Sequence, residues 1–177
     1  MSRNADLHKR RIAAVPRGVG NSLAVYAERA QNAELWDVEG RRYVDFASGI
    51  AVVNTGHLHP HVKAAMAAQL DKITHGCFQV TPYESYIALA EALNKRAPGP
   101  TPKKTIFLST GAEAVENAIK IARYATKRSA VIAFTGGFHG RTLACIALTG
   151  KVQPYKAGLV PCCPKCSTCP SPWRSMA

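Results

Sequence analysis

The chain has 177 residues, 47% of them hydrophobic, so it is long enough for a domain with a buried core and too apolar to be disordered throughout. Its 23 basic and 11 acidic residues give a net charge of +12, but the basic residues are dispersed and no nucleic-acid-binding motif accompanies them. A signal peptide and a membrane-spanning stretch are both absent from the sequence, which predicts a cytoplasmic protein with no membrane partner.

The first part of the chain predicts a helix followed by a β-hairpin. The densest basic run, residues 9–11, is typical of the solvated face of an N-terminal helix. Residues 34–38 and 42–46 alternate in polarity on either side of residues 39–41, which predicts the hairpin. Residues 48–56 are rich in small side chains and predict an irregular or extended segment.

Three alternating histidines follow, and they allow two interpretations. His57, His59 and His61 would share one face of an extended segment, where imidazoles could bind zinc or copper. Pro60 interrupts the run, however, and a helical pattern of apolar residues begins at Val62. A turn that leads into a helix is the favoured interpretation.

The second part of the chain predicts alternating helices and strands. Helical spacing covers residues 83–96 and stops at the proline-rich residues 98–102. The apolar runs 105–109 and 130–134 predict two strands, and residues 111–127 between them predict a helix. A strand, a helix and a strand in this order predict a parallel pair with a right-handed crossover.

The junction before the helix at residue 111 has the features of an anion site. Thr110 and Glu113 match a capping box, and acidic residues come early in the helix while basic residues come late. Gly111 and Ala112 have almost no side chain, so a phosphate could approach their backbone N–H groups. An ordinary strand–turn–helix with a good cap accounts for this stretch alone equally well.

A second glycine-rich loop, residues 135–142, follows the second predicted strand. It places Phe138, His139 and Arg141 close together, where the rings could stack on a planar cofactor and the guanidinium could bind a carboxylate. Taken singly, Phe138 could belong to the core and Arg141 to the surface. Two such loops at one edge of a parallel sheet favour a ligand site instead.

The sequence resembles the class III, or omega, pyridoxal-phosphate aminotransferases that act on 4-aminobutyrate. The matching stretches keep their order and spacing over most of the chain: residues 16–20, 36–40, 45–52, 54–60, 109–123, 136–142 and 147–152. The resemblance implies an α/β protein with the type I pyridoxal-phosphate aminotransferase fold, and transfer of an amino group from an omega-amino acid to 2-oxoglutarate. Related families that use ornithine, acetylornithine or 5-aminovalerate share much of this region, so the amino donor is left open.

The resemblance also implies roles for seven residues. Gly111 and Ala112 match the residues whose backbone holds the cofactor phosphate, and Phe138 and His139 match the aromatic pair beside the pyridine ring. Arg141 matches a ligand of the substrate carboxylate. Ile50 matches a residue that lines the substrate pocket, and Gln79 is expected nearby.

Three parts of such an enzyme have no match in the chain. By the resemblance, the family's Schiff-base lysine, the aspartate that pairs with the pyridine nitrogen and an arginine that helps to discriminate substrates lie beyond residue 177. No lysine present occupies the matching position: Lys120, Lys127, Lys151 and Lys156 all lie elsewhere. The resemblance therefore implies a fragment that is inactive by itself. Such a fragment could bind the cofactor weakly or associate with a full-length subunit, since the family is expected to form homodimers.

The implied domain organisation has three parts. Residues 1–60 correspond to an N-terminal segment and part of a small domain, and residues 61–158 to the first half of the large, mixed or parallel sheet domain. That sheet would lack its later strands, so the fragment is expected to expose apolar edges and to be poorly stable.

The third part, residues 159–177, is a Cys- and Pro-rich tail that departs from the family pattern. Cys163, Cys166 and Cys169 have a C-x2-C-x2-C spacing, as in part of an iron–sulfur loop, and zinc is also conceivable. The abrupt change in composition is what a shifted reading frame would produce. The favoured interpretation is therefore a disordered tail without a metal.

Overall fold

The computed structural model describes residues 2–158 and the strand Cys166–Cys169. The chain divides into two compact units, Met1–Tyr83 and Glu84–Ala177. The domain boundary expected at residue 60 falls inside the first of them, and the three-part organisation stays a prediction.

The first unit is built on a three-stranded antiparallel sheet. Helix α1 (Arg3–Ala14) precedes strands β1 (Ala27–Gln31), β2 (Glu34–Asp37) and β3 (Arg42–Val44), which lie in the order β1-β2-β3, and helix α2 (Pro60–Leu70) follows. The predicted hairpin is β2–β3, and the N-terminal helix and the helix after the histidines are also confirmed. Strand β1 was not predicted, because its polar sequence carries no alternation.

A buried carboxylate joins helix α1 to the hairpin. Asp37 is completely buried, and its Oδ1 accepts hydrogen bonds from the backbone N–H groups of Arg41 and Glu39, both at 2.9 Å. Its Oδ2 accepts from the Asn4 carboxamide at 2.9 Å and from the Tyr43 hydroxyl at 3.0 Å. Burial alone would raise the pKa of Asp37, but these hydrogen bonds outweigh it and hold the pKa far below its ordinary value.

The segment predicted to be irregular forms a left-handed turn. The residues of Ser48–Ala51 all have positive φ, including 63° at Ile50, a conformation that is costly for a β-branched residue. Asp45 supports the turn, because its Oδ1 accepts from the backbone N–H groups of Ala47 and Ser48. Its Oδ2 lies 2.7 Å from Nε2 of His57, and this contact is the leading cause of the lowered pKa of Asp45.

His57 is thus paired with a carboxylate, and α2 begins directly at Pro60, as the favoured interpretation of the histidines requires. Within the described residues, no three His, Cys, Asp or Glu side chains are grouped so that they could hold a metal ion.

In the residues that the structure describes, the second unit contains three helices and one pair of parallel strands. The elements are α3 (Glu84–Arg96), α4 (Gly111–Thr126), β4 (Val131–Phe134), α5 (Leu143–Leu148) and β5 (Cys166–Cys169), and β4 pairs with β5. The predicted helices near residues 83–96 and 111–127 and the strand near 130–134 are confirmed. Helix α5 was not predicted.

The predicted strand at residues 105–109 is wrong for the described part of the chain. The segment is not part of any strand pair within the described residues, so the parallel partner of β4 is β5. The backbone N–H of Phe107 donates instead to the Tyr86 hydroxyl at 3.0 Å, and the two rings pack edge to face. An apolar run predicts a buried segment, but a strand also requires a neighbour for its backbone groups.

Of the tail, residues 159–177, the structure describes four residues, and these form strand β5. For the other residues of the tail, the predicted disorder and the possible metal site fall outside the described residues.

Many large apolar side chains are exposed, in agreement with the expected apolar edges. On β4, Ile132 is 72% and Phe134 54% exposed, while Ala133 between them is buried. In the first unit, Phe46 is 95% exposed. Among the described helices, none combines the length and the apolar character needed to cross a bilayer.

We expect stability of the first unit to depend on the ionised form of Asp37. Because its pKa is lower in the folded than in the unfolded chain, its contribution is complete above the unfolded value of 3.8 and is lost as the pH falls below it. In urea unfolding between pH 7 and pH 3, Asp37→Asn should lower the free energy of unfolding at pH 7, and this difference should shrink toward pH 3. The exposed Asp71→Asn is the control. A loss that is independent of pH would contradict this account.

Candidate active site

A single cavity brings together the two glycine-bearing segments of the second unit. It has a volume of about 700 Å³ and is bounded by the start of α4 and by the loop after β4. Its lining residues are Thr110, Gly111, Ala112, Val115, Phe138, His139, Gly140, Arg141 and Thr142. The sequence-based prediction that these segments meet is therefore confirmed.

The capping box at the start of α4 leaves two backbone donors free at the cavity. The backbone N–H of Glu113 donates to Oγ1 of Thr110 at 3.1 Å, and the backbone N–H of Thr110 donates to Oε2 of Glu113 at 2.9 Å. Neither the N–H of Gly111 nor that of Ala112 donates to an acceptor in the described part of the chain. These two amides, at the positive end of a 16-residue helix, suit a phosphate.

Close contacts hold the loop after β4 against the start of α4. Gly140 has φ of 125°, and a Cβ placed on it would come within 2.8 Å of Cβ of Ala112. The Sγ of the buried Cys145 lies 3.4 Å from the carbonyl oxygen of Ala112. Thr142 donates to Oε1 of Glu116 at 2.6 Å, which adds a polar link between the loop and the helix. The two walls of the cavity are therefore fixed to each other.

The loop presents an aromatic surface at the cavity. Phe138 is 58% exposed, and its ring packs against that of Tyr155, with the ring centroids 5.2 Å apart. His139 is partly buried, and its Nε2 has no hydrogen-bond partner in the described residues. That nitrogen lies beside Gly137, where a Cβ would come within 3.0 Å of it. A planar ligand could therefore contact Phe138 while His139 lies partly beneath the loop.

The charge at the cavity favours an anion. Arg141 is the one charged residue in the lining, it is exposed, and it has no ion pair within the described residues. No carboxylate lines the cavity; Glu116, on the next turn of α4, is occupied by the Thr142 hydroxyl. A free guanidinium and two free amides can bind two anionic groups, such as a phosphate and a carboxylate.

Five of the seven predicted site residues therefore line one cavity: Gly111, Ala112, Phe138, His139 and Arg141. Ile50 and Gln79 belong to the first unit, where both are exposed. The individual roles of all seven stay predictions.

Sequence reasoning missed two residues that shape the site. Gly140 was noted only as part of a glycine-rich loop, although its contact with Ala112 fixes the spacing of the walls. Thr149 is completely buried behind the loop, and its Oγ1 accepts a hydrogen bond from the backbone N–H of His139. Thr149 directly follows the apolar helix α5, and that position is the one local sign that its hydroxyl would be buried.

The fold is that of the type I pyridoxal-phosphate aminotransferases. The structure of taurine:2-oxoglutarate aminotransferase from Bifidobacterium kashiwanohense, in complex with PLP and glutamate, superimposes with a TM-score of 0.86. The match covers 99% of this chain and 40% of that one, at 22% sequence identity.

The chain belongs to class III of the aminotransferases, because the family model described as "Aminotransferase class-III" matches residues 14–177. It is 64% identical over 156 residues to 5-aminovalerate aminotransferase DavT of Pseudomonas aeruginosa and 59% identical over 159 residues to 4-aminobutyrate aminotransferase GabT of Escherichia coli. These alignments cover 88% and 90% of the chain. The chain spans 37% of the length of either relative.

Enzymes of this class use pyridoxal 5′-phosphate, and the cavity fits that cofactor. Among the described residues outside its own turn of helix, no atom lies within 4 Å of a Cβ placed on Gly111, so there is room for a phosphate beside its backbone. The exposed ring of Phe138, on the opposite wall, provides an apolar surface for a planar pyridine ring.

We expect Gly140→Ala to separate the two walls of the cavity. The new Cβ would clash with Ala112 and would also strain a residue with φ of 125°, at a cost of about 1–3 kcal/mol in the free energy of unfolding. Gly99→Ala is the matched control, because Gly99 also has positive φ but no atom lies closer than 3.7 Å. Chemical denaturation should show the larger loss for Gly140→Ala; equal losses would show that the contact is unimportant.

Proposed function

We propose that this chain is the cofactor-binding part of a pyridoxal-phosphate-dependent transaminase that moves an amino group from 4-aminobutyrate, or a related omega-amino acid, to 2-oxoglutarate. The single observation that carries the proposal is the cavity in which the free amides of Gly111 and Ala112 face Phe138 and Arg141. The names of the relatives, 4-aminobutyrate and 5-aminovalerate aminotransferase, support the choice of substrate class.

In this proposal the start of α4 binds the cofactor phosphate. The N–H groups of Gly111 and Ala112 donate to its oxygens, and the helix dipole adds to the attraction. Phe138 contacts one face of the pyridine ring, and His139 stabilises that wall of the cavity. When bound, the cofactor acts as the electron sink for the chemistry at the amino-bearing carbon.

The substrate carboxylate binds to Arg141. The guanidinium is exposed at the cavity and has no competing ion pair within the described residues, so it is free to form a bidentate contact. The roles of Ile50 and Gln79 in substrate binding rest on the resemblance alone.

The chain by itself is not expected to turn over substrate. No lysine of the sequence occupies the position of the family's Schiff-base lysine, and no described lysine lines the cavity. We therefore assign cofactor and carboxylate binding to this chain, and the covalent and proton-transfer chemistry to the part of the relatives that it does not span.

We expect Gly111→Asp to abolish binding of pyridoxamine 5′-phosphate without destabilising the fold. The site of the substitution has free space, and an aspartate in the first helical turn interacts favourably with the helix dipole, but its carboxylate would repel the phosphate. Pyridoxamine 5′-phosphate is the probe because it has no aldehyde to react with surface lysines. Isothermal titration calorimetry would measure the affinity.

Gly111→Ala is the matched control for this experiment, because it adds a methyl group without a charge and should retain most of the affinity. Equal binding by the original chain and by Gly111→Asp would place the phosphate elsewhere and contradict the proposal.

A chimera would test the transaminase activity. Residues 1–158 would replace the matching N-terminal part of Escherichia coli 4-aminobutyrate aminotransferase, which would supply the remaining part of the enzyme. We expect glutamate formation from 2-oxoglutarate with 4-aminobutyrate or 5-aminovalerate, and a loss of about 100-fold or more in kcat/KM for Arg141→Ala, in line with the strength of charge-assisted hydrogen bonds.

The exposed apolar side chains support a second candidate function, in which the chain is inactive and associates with a full-length subunit. Ile132 and Phe134 on β4 are examples of apolar surface that such a partner could cover. Co-purification with the intact homologue, together with an inactive chimera, would favour this function over the transaminase.

A further inference from the structure

Thr149 is a buried hydroxyl that the chemistry described above does not use. It lies at the C-terminal end of α5, is completely buried, and is among the largest fully buried side chains of the described residues. A buried hydroxyl is costly unless it forms hydrogen bonds, so its partners indicate why a polar residue is present in an otherwise apolar environment.

Its partners belong to the loop that forms the aromatic wall of the cavity. The backbone N–H of His139 donates to Oγ1 of Thr149 at 3.2 Å. The same oxygen lies 2.9 Å from the carbonyl oxygen of Cys145 and 3.4 Å from that of Gly140, so its proton can be donated to either. The hydroxyl thus joins the end of α5 to two consecutive residues of the loop.

Backbone contacts already restrain the start of the loop, so the position of His139 depends on the hydrogen bond to Thr149. The N–H of Gly150 donates to the carbonyl oxygen of Gly137 at 2.8 Å. Gly150 also approaches the loop so closely that a Cβ on it would come within 2.4 Å of the nitrogen of Gly136. These contacts fix the start of the loop, whereas Thr149 provides the hydrogen bond at His139, directly beside the exposed ring of Phe138.

The start of α4 has a separate support. There the capping box between Thr110 and Glu113 satisfies its own donors and includes no atom of Thr149. The hydrogen bonds that order the phosphate wall therefore do not involve Thr149, although the two walls touch where Gly140 meets Ala112. A change at Thr149 should affect the ring wall more than the phosphate site.

We propose that Thr149 is a positioning residue that holds the backbone at His139 and Gly140, and thereby orients the aromatic wall against the pyridine ring of the cofactor. The inference rests on the proposed function, because it takes the ligand of that wall to be the pyridine ring. The hydroxyl of Thr149 thus raises the affinity for the pyridine ring without contacting the cofactor.

The test compares two probes, pyridoxamine 5′-phosphate and inorganic phosphate, on the full chain. In Thr149→Val the shape of the side chain is kept and the hydroxyl is lost, so the N–H of His139 loses its acceptor. We expect affinity for pyridoxamine 5′-phosphate to fall about tenfold, because the free loop would move to expose the N–H of His139 to water and binding would have to return it to its place. Affinity for inorganic phosphate should change less than about twofold.

Two further variants separate positioning from a loss of folding. Thr149→Ser retains the hydroxyl and should restore most of the affinity for pyridoxamine 5′-phosphate. Thr126→Val removes a hydroxyl that, within the described residues, donates to the carbonyl oxygen of Ala122 and accepts from the backbone N–H of Arg128, and it should leave both affinities unchanged. Amide hydrogen exchange at His139 should become faster in Thr149→Val alone.

An equal loss of affinity for both probes in Thr149→Val, or an unchanged affinity for pyridoxamine 5′-phosphate, would overturn the inference. Unchanged amide exchange at His139 would overturn it as well, whether or not a probe binds. Failure of the unsubstituted chain to bind either probe would contradict the proposed function, which distinguishes the two conclusions.

Discussion

The close approach of Gly140 to Ala112 is the constraint on which the site depends. It brings the loop after β4 against the first turn of α4 with no room for even one additional methyl group. The thiol of Cys145 reinforces it through the carbonyl of Ala112, and the hydroxyl of Thr142 does so through Glu116. Without this contact the free amides of α4 and the aromatic ring of the loop would not line the same cavity.

The two walls of the cavity differ in how their backbone N–H groups are hydrogen-bonded. At the start of α4, the capping box satisfies the N–H groups of Thr110 and Glu113 and leaves those of Gly111 and Ala112 available to a ligand. The loop has no regular structure, so the N–H of His139 has no acceptor in a strand or a helix. The hydroxyl of the buried Thr149 accepts its hydrogen bond instead. The first wall is thus open to an anion, whereas the second has the N–H of His139 satisfied and presents side chains.

Features that depend on local sequence were predictable, and features that depend on distant contacts were not. The capping box was predicted and confirmed because Thr110 and Glu113 lie three residues apart, and the same holds for the hairpin and most helices. The strand at 105–109 failed because its partner cannot be inferred from its own residues. The meeting of the two segments was predicted from a shared sheet edge, yet the structure achieves it through the contact between Gly140 and Ala112, which has no local signal.

The position of Cys145 has a consequence for chemical labelling. Its thiol is completely shielded beneath the junction of the two walls, whereas the thiol of Cys77 is exposed. An alkylating reagent should therefore reach Cys77 immediately and Cys145 only when the walls separate. The rate of modification at Cys145, read from its own peptide by mass spectrometry, thus reports how often the pocket opens.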